Sequence, residues 1–230
     1  MNTWIVIPTY NEAENLEGLL KDLRGACPEA SFLIVDDASP DGTGALAEKL
    51  GESHGPLEVL HRAGKAGIAS AYVEGFSRAL ASGAQRIVQM DADGSHDPAD
   101  VPRLLADPAE LVLGSRYVPG GGTKNWSWGR RTLSQGGSLY ARVCLGLGIR
   151  DLTGGFKAWS CSTLEGVLER PIRSEGYAFQ VEMTWRAHGL GADISEVPIV
   201  FADRQVGESK MSAAIALEAA WLVPLLRLRR

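Results

Sequence analysis

The 230-residue chain is poor in the features that would assign it quickly. It has three cysteines, Cys27, Cys144 and Cys161. Their odd number and the absence of any Cys-x-x-Cys exclude a disulfide framework and a structural zinc site, and point to reduced thiols. No uncharged apolar run reaches the ~18–20 residues of a membrane span. The best candidate, Met211 to Leu226, is broken by Glu218 and Pro224. Met1-Asn2-Thr3-Trp4 lacks the basic segment of a secretory signal and leads straight into an apolar run. There is no Gly-x-Gly-x-x-Gly, which argues against a dinucleotide fold, and no Gly-x-x-x-x-Gly-Lys-Ser/Thr, which argues against a P-loop nucleotidase. His54, His61, His96 and His188 are not spaced as zinc-hydrolase ligands, and the one Gly-x-Ser-x-Gly string, Gly51-Glu52-Ser53-His54-Gly55, follows a helical pattern rather than a strand, so it is not the elbow of serine hydrolases.

One absence is local. Between Leu111 and Arg150 there is no Asp or Glu, yet there are six basic residues: Arg116, Lys124, Arg130, Arg131, Arg142 and Arg150. The whole chain has 23 basic and 28 acidic residues, a formal charge of −5, so the rest is strongly acidic. This balance argues against a nucleic-acid partner held by bulk positive charge. It suggests instead a local anionic ligand. A hydrophobic content of 45% supports a substantial core and excludes general disorder.

In the first half, short apolar runs alternate with helical patterns. Strands are predicted at Trp4–Ile7, Phe32–Val35, Leu57–Leu60, Ile87–Met90 and Leu111–Leu113. Helices are predicted around Leu16–Leu23 and at Thr43–Leu50, Ile68–Ala81 and Val101–Leu105. Such alternation implies an α/β fold with a parallel sheet covered on both faces, and ligands beyond the carboxyl ends of its strands. The second half has a Gly-rich loop at Pro119–Gly122, helical patterns at Leu133–Leu147 and Ala178–Ala187, and a strand near Ile194–Phe201. An apolar helix from Ser212 to Leu228 ends in Arg227, Arg229 and Arg230. The reading is one domain, 1–210, with a helical appendage, 211–230.

Three strand ends carry candidate chemistry. Pro8-Thr9-Tyr10-Asn11-Glu12 follows the first strand, with Asn11 a possible helix cap. Asp36-Asp37 follows the second, ahead of the turn Ser39-Pro40-Asp41-Gly42 and a capping Thr43. A carboxylate there can accept hydrogen bonds from a nucleobase edge or ribose hydroxyls. Asp91-Ala92-Asp93-Gly94-Ser95-His96 follows the fourth. In extended backbone residues i and i+2 share a side, so Asp91 and Asp93 can face one hard cation, or form a turn with two solvated aspartates. A metal so held can bridge the phosphates of a nucleoside diphosphate leaving group. His96 reads as a surface or structural residue rather than a catalytic one.

Together these strings resemble family 2 glycosyltransferases of the GT-A fold. Gly114-Ser115-Arg116-Tyr117, Asp151-Leu152-Thr153-Gly154-Gly155-Phe156, Gly176-Tyr177-Ala178-Phe179-Gln180-Val181-Glu182-Met183 and Gly207-Glu208-Ser209-Lys210 narrow the resemblance to dolichol- or polyprenol-phosphate mannose synthases. Gly94-Ser95-His96 is most similar to their actinobacterial members. The resemblance spans Trp4 to Met211. It implies inverting transfer of mannose from GDP-mannose to a polyprenyl phosphate, with UDP-glucose-dependent glucosyl transfer and a non-catalytic nucleotide- or lipid-binding module as the alternatives. It implies that Pro8, Tyr10, Glu12, Val35, Asp37 and Ala92 line the nucleotide-sugar site and that Arg204 and Lys210 close over the donor phosphates. Asp91 and Asp93 would hold Mg2+ or Mn2+. Ser95, where the family often has Gln, or a water in its place, would complete the shell.

A phosphate monoester acceptor is already anionic, so it needs positioning and charge neutralisation rather than a strong base. Arg116, Arg130 and Arg131, with Ser134 as hydroxyl donor, can supply both, because guanidinium matches phosphate bidentately. A solvated surface pair is the competing reading of Arg130-Arg131. Arg116 is also a candidate donor-site residue; Asp91, Asp93, Arg116 and Arg130 are the catalytic candidates. Trp126 and Trp128 suit a mobile lid or lipid-contacting edge, or core packing. Ile215, Trp221, Leu222 and Leu226 can form one apolar face with Arg227, Arg229 and Arg230 near anionic headgroups, or pack on the sheet or another subunit. These features imply peripheral contact with the cytoplasmic face of a membrane, with a membrane anchor protein or a fused domain as a possible partner.

Overall fold

The computed structural model describes residues 2–203, 221 and 223–227. Its centre is a seven-stranded sheet. The strands are β1 (Thr3–Thr9), β2 (Ser31–Asp36), β3 (Leu57–His61), β4 (Arg86–Gln89), β5 (Leu111–Ser115), β7 (Lys157–Ser160) and β8 (Ile194–Pro198), in the order β3-β2-β1-β4-β7-β5-β8. A two-stranded parallel sheet pairs β6 (Gly122–Lys124) with β9 (Val200–Ala202). The helices are α1 (Ala13–Ala26), α2 (Thr43–His54), α3 (Ile68–Ala81), α4 (Val101–Ala106), α5 (Trp128–Leu145), α6 (Cys161–Leu168) and α7 (Gly176–Gly189).

Strand alternation divides the interior into two cores. Ile5, Ile7, Phe32 and Ile34 face α1, α2 and α4, meeting Leu16, Leu20, Leu23, Ala47 and Leu104. Val6, Leu33 and Val35 face the other way, with Tyr72, Phe76, Leu164, Phe179 and Met183. Helix α3 lies so close to β1 and β2 that a Cβ on Gly75 would stand 2.5 Å from Val6 Cγ1 and 2.8 Å from Val35 Cγ2. Only glycine permits that approach.

Five predicted strands and the first-half helices are present with small shifts of their ends. Met90 falls just beyond β4, and α3 spans the predicted residues. Other features differ: β6 and α6 carry no counterpart in the predicted elements. Strand β7 was not predicted; it enters antiparallel between β4 and β5, so Ala158 pairs with Val88 on one side and Val112 on the other. Its four residues begin with a lysine, which conceals a buried strand. The predicted strand Ile194–Phe201 is two strands in two sheets. Ile199 is the pivot, its N–H bonding Ser115 O and its carbonyl accepting from Gly122 N. Helix α5 starts five residues early, where the Ser127 hydroxyl accepts from Arg130 N, and ends at left-handed Gly146.

The predicted caps also shift. Glu12 precedes α1, while Asn11 sits at φ +60°. Thr43 is the first residue of α2, and Asp41 accepts its N–H. Of the predicted C-terminal helix only 221 and 223–227 are described. Val223 and Leu226 are buried in the core, whereas Trp221 is exposed, so Trp221 and Leu226 do not share one outward face. Arg227 donates to Cys144 O at the end of α5 (2.9 Å). Arg204, Lys210, the string Gly207–Lys210, Ile215, Leu222, Arg229 and Arg230 lie outside the described residues.

Candidate active site

The carboxyl ends of β1, β2 and β4 lie side by side, with Thr9 paired to Asp36 in register. The two adjacent aspartates divide their work. Asp36 is buried and builds the loop: its carboxylate accepts from Thr9 Oγ1 (3.1 Å), Ser39 N (3.1 Å) and Ser39 Oγ (2.6 Å). Asp37 pairs with Arg62, a residue for which the sequence offered no motif. Arg62 also donates to Ser70 Oγ and Glu74 Oε1, so Asp37 is fixed from β3 and α3 at once. Two of the three non-glycine residues with positive φ among the described residues, Asn11 and Ala38, flank this cleft. Such conformations cost roughly 1–3 kcal/mol each and gather at ligand sites.

Tyr10 is half-buried with Lys65 Nζ 3.7 Å from its ring centroid. Pro8 lies near the end of β1 and Glu12 just before α1; Glu12 accepts from Asn15 Nδ2. Val35 departs from its expected role. Its side chain is fully buried beneath α3, so only its backbone can meet a ligand. Ala92 is likewise buried in the opposite core.

The Asp91–Asp93 segment is a turn, with Gly94 at φ +73° and Ser95 N donating to Asp93 Oδ1 (3.1 Å). Asp91 Oδ1 accepts from the phenol of Tyr72 at 2.6 Å, and Asp91 N donates to His96 Nδ1 at 3.2 Å. Burial lowers the His96 pKa against the pull of the two aspartates, so the ring is a neutral acceptor. It stacks on Phe156 (4.8 Å) and meets Phe201 edge-on. His96 is therefore a strut, as expected. Ser95 Oγ is buried with no hydrogen-bond partner among the described residues. No cluster of three or more His, Cys, Asp or Glu suited to a metal occurs among the described residues. Two carboxylates and an orphaned hydroxyl form a hard-oxygen set that fits Mg2+ or Mn2+, with the remaining positions left to water and phosphate oxygens.

The acid-free segment folds over the end of β5. Arg116 does not present a free guanidinium there. It is buried against fully buried Asp151, with N, Nε and NH2 donating to that carboxylate at 2.9, 2.7 and 2.6 Å, and NH2 also reaching Thr153 Oγ1. Burial opposes its charge, but Asp151 outweighs this and raises its pKa. The guanidinium is thus engaged by Asp151 and Thr153 rather than free, which differs from the expectation of a group open to the donor or acceptor phosphate. Glu196 in turn holds the backbone N–H groups of Arg150 and Asp151.

Arg130 pairs with Asp203 and lies 4.3 Å from the Trp126 ring centroid, so it is not a solvated surface residue. Arg131 is exposed, one turn before Ser134 on the same helix. Buried Ser134 Oγ bonds the Tyr117 hydroxyl at 2.7 Å. Trp126 packs edge-on against Phe201, whereas Trp128 is 82% exposed. The two tryptophans thus divide the competing readings between them. Contacts run unbroken from the backbone of Asp91 through His96, Phe201 and Trp126 to Arg130, joining the end of β4 to the cationic segment.

A groove of about 1050 Å³ lies elsewhere, between α6, α7 and residues 225–227, and none of the strand-end residues lines it.

A mostly parallel sheet with helices on both faces, carboxylate-bearing loops at the ends of β1, β2 and β4, and one antiparallel strand is the α/β architecture of the GT-A fold. The chain belongs to glycosyl transferase family 2, whose sequence profile matches residues 4–168. It is 49% identical over 221 residues to an undecaprenyl-phosphate mannosyltransferase of Micrococcus luteus, covering 95% of this chain and 91% of that one. It is 46% identical over 225 residues to a polyprenol monophosphomannose synthase of Mycolicibacterium smegmatis, covering 96% and 85%. Among solved structures, glucosyl-3-phosphoglycerate synthase of Mycobacterium tuberculosis, in complex with Mn2+, UDP and glucosyl-3-phosphoglycerate, shares the fold. The TM-score is 0.69 at 19% identity, over 98% of this chain and 79% of that one.

Proposed function

We propose that this chain transfers mannose, with inversion, from GDP-mannose to a polyprenyl phosphate. The observation that carries the reading is the contact path from the backbone of Asp91 through His96, Phe201 and Trp126 to Arg130, which links the end of β4 to the cationic segment. The activities named for the two relatives support it.

In this mechanism Asp37, oriented by Arg62, accepts hydrogen bonds from the nucleoside, and Tyr10, Pro8 and Glu12 shape the cleft. Asp91 and Asp93, with Ser95 or a water, would hold Mg2+ or Mn2+, which when bound neutralises the diphosphate leaving group. Arg204 and Lys210 remain proposed donor-phosphate residues. Arg130, held over Trp126 by Asp203, together with Arg131 and Ser134, aligns the acceptor phosphate. That phosphate is the nucleophile and carries its own charge, so no general base is needed. Arg116 serves by anchoring the segment that bears Tyr117, through Asp151.

Residues 1–210 form the catalytic domain and 211–230 an appended helix in this reading. No helix among the described residues is long and apolar enough to cross a membrane. Contact with the membrane is peripheral, on the cytoplasmic face. The side of α5 opposite its buried stripe of Ser134, Ser138, Ala141 and Leu145 exposes Trp128, Leu133, Leu139, Tyr140 and Val143, a face suited to a bilayer surface.

Labelled GDP-mannose incubated with a short polyprenyl phosphate, with and without EDTA, tests the proposal. Transfer abolished by EDTA and restored by Mg2+ or Mn2+ is the expected result. Transfer from UDP-glucose alone would replace the donor assignment. Nucleotide binding without transfer from either donor would leave only a binding module.

A further inference from the structure

Beneath Asp91 lies a buried polar chain that the reaction as described does not use. Tyr72, on α3, is fully buried, its ring stacked at 5.5 Å on Phe76 and 6.0 Å on Phe179. Phenylalanine would fill the same space and keep both stacking partners. The hydroxyl, which costs desolvation to bury, donates to Asp91 Oδ1 at 2.6 Å. The Gln89 side chain lies beside the same phenol. Gln89 Nε2 also donates to Gln180 Oε1 at 2.8 Å, and Trp159 Nε1 donates to Gln89 Oε1 at 3.4 Å. Gln180 O accepts from Lys157 Nζ at 2.8 Å. Tyr72, Gln89, Lys157 and Trp159 are all fully buried. This chain joins α3, β4, β7 and α7, and it ends on a carboxylate at the mouth of the cleft.

The other carboxylate oxygen lies near Gly155. A side-chain carbon on Gly155 would lie 3.4 Å from Asp91 Oδ2 and 3.4 Å from Gln180 Nε2. Glycine at position 155 therefore keeps the space beside Oδ2 free of a side chain.

We infer that Tyr72 is a positioning residue for Asp91, its phenol holding Oδ1 from below so that the carboxylate is already oriented when a divalent cation arrives. The inference rests on the reading of Asp91 as a metal ligand. Partners behind a metal ligand fix its orientation, and their removal typically lowers metal affinity by about 10–100-fold. The phenol is uncharged and makes one bond, which places Tyr72→Phe near the lower end, about 10-fold.

The test titrates Mn2+ alone into the purified full chain and follows the EPR signal of the free ion, alongside thermal unfolding without metal. Tyr72→Phe is expected to raise the Mn2+ Kd about 10-fold. The Mn2+ concentration for half-maximal transfer should rise by the same factor, while the metal-free Tm moves by only a few degrees. A purely structural hydroxyl would lower the Tm and leave the Kd unchanged, and that result overturns the inference. Asp91→Asn separates the two levels. If it too leaves Mn2+ binding unchanged, the metal assignment has failed; if it abolishes binding that Tyr72→Phe retains, only the role of Tyr72 has failed. Should Tyr72→Phe not fold, Gln89→Met, which removes the amide behind the phenol, is read the same way. Because the phenol itself stays, a rise in the Mn2+ Kd smaller than about 10-fold supports the inference for this variant. No rise overturns it.

Discussion

The pairing of Arg116 with Asp151 gives the sharpest test of how this site is built. Arg116 is 5% exposed and Asp151 is fully buried, and three of the donors on that carboxylate belong to Arg116. Breaking a buried pair by removing one partner strands a charge in a poorly solvating interior, at a cost of about 3–5 kcal/mol. That is a large share of the roughly 5–15 kcal/mol that holds a domain folded. At about 2–4 °C per kcal/mol for a chain of this size, Asp151→Asn or Arg116→Met should each lower Tm by roughly 6–20 °C. The double variant removes both charges and should recover part of the loss, so urea unfolding of all four proteins should give a coupling of about 2 kcal/mol or more. Two additive single effects, each below about 1 kcal/mol, would refute the buried-pair account. Arg116 would then be available to the acceptor phosphate, and Arg116→Met should raise the acceptor KM without a stability loss.

Three further outcomes follow from other contacts. Burial, only partly opposed by Asp151, lowers the Lys157 pKa to about 7 from 10.5. The unfolded chain then binds more protons than the folded one between those values, so this group adds stability as pH rises through that range, by up to about 1.4 kcal/mol per unit. Urea unfolding at pH 7 and pH 9 should show wild type gaining on Lys157→Met by about 2–3 kcal/mol; an unchanged difference would mean that the amine titrates normally. Arg130→Ala should raise the acceptor KM about 10-fold or more, since a charge-assisted contact is worth roughly 1.5–3 kcal/mol, and should leave GDP affinity unaltered in calorimetry. Equal loss of GDP binding would move Arg130 to the donor side. Gly75→Ala forces a methyl into Val6 and Val35 and should cost about 1–3 kcal/mol in chemical unfolding, partly relieved by Val6→Ala.

Much of the architecture was legible because its signals are local. Leu16, Leu19, Leu20 and Leu23 recur at helical spacing, and all four are buried on one side of α1. Asp91 and Asp93 follow an apolar run, and the chain places them at the end of β4. What was hidden depended on neighbours remote in sequence. Lys157 opens a strand that is buried only because β4 and β5 flank it. Arg62 is an isolated arginine until β3 brings it to Asp37, 25 residues away. Tyr72 is one more apolar position of α3 until the fold sets its hydroxyl against Asp91.

The cationic segment shows the same division. The sequence by itself determined that residues 111–150 carry positive charge without acidic neighbours, that an anion is the natural ligand, and that the strand ends hold carboxylates. Composition and periodicity suffice for that, because charge and helical or strand repeat are properties of the chain. Only the tertiary structure decided what each charge does. Asp151 and Asp203, both outside the acid-free window, take Arg116 and Arg130, burying the first as a support and aiming the second across Trp126. Charge partners are chosen by distance in space, where a few ångströms separate a buried ion pair from a group that can receive phosphate.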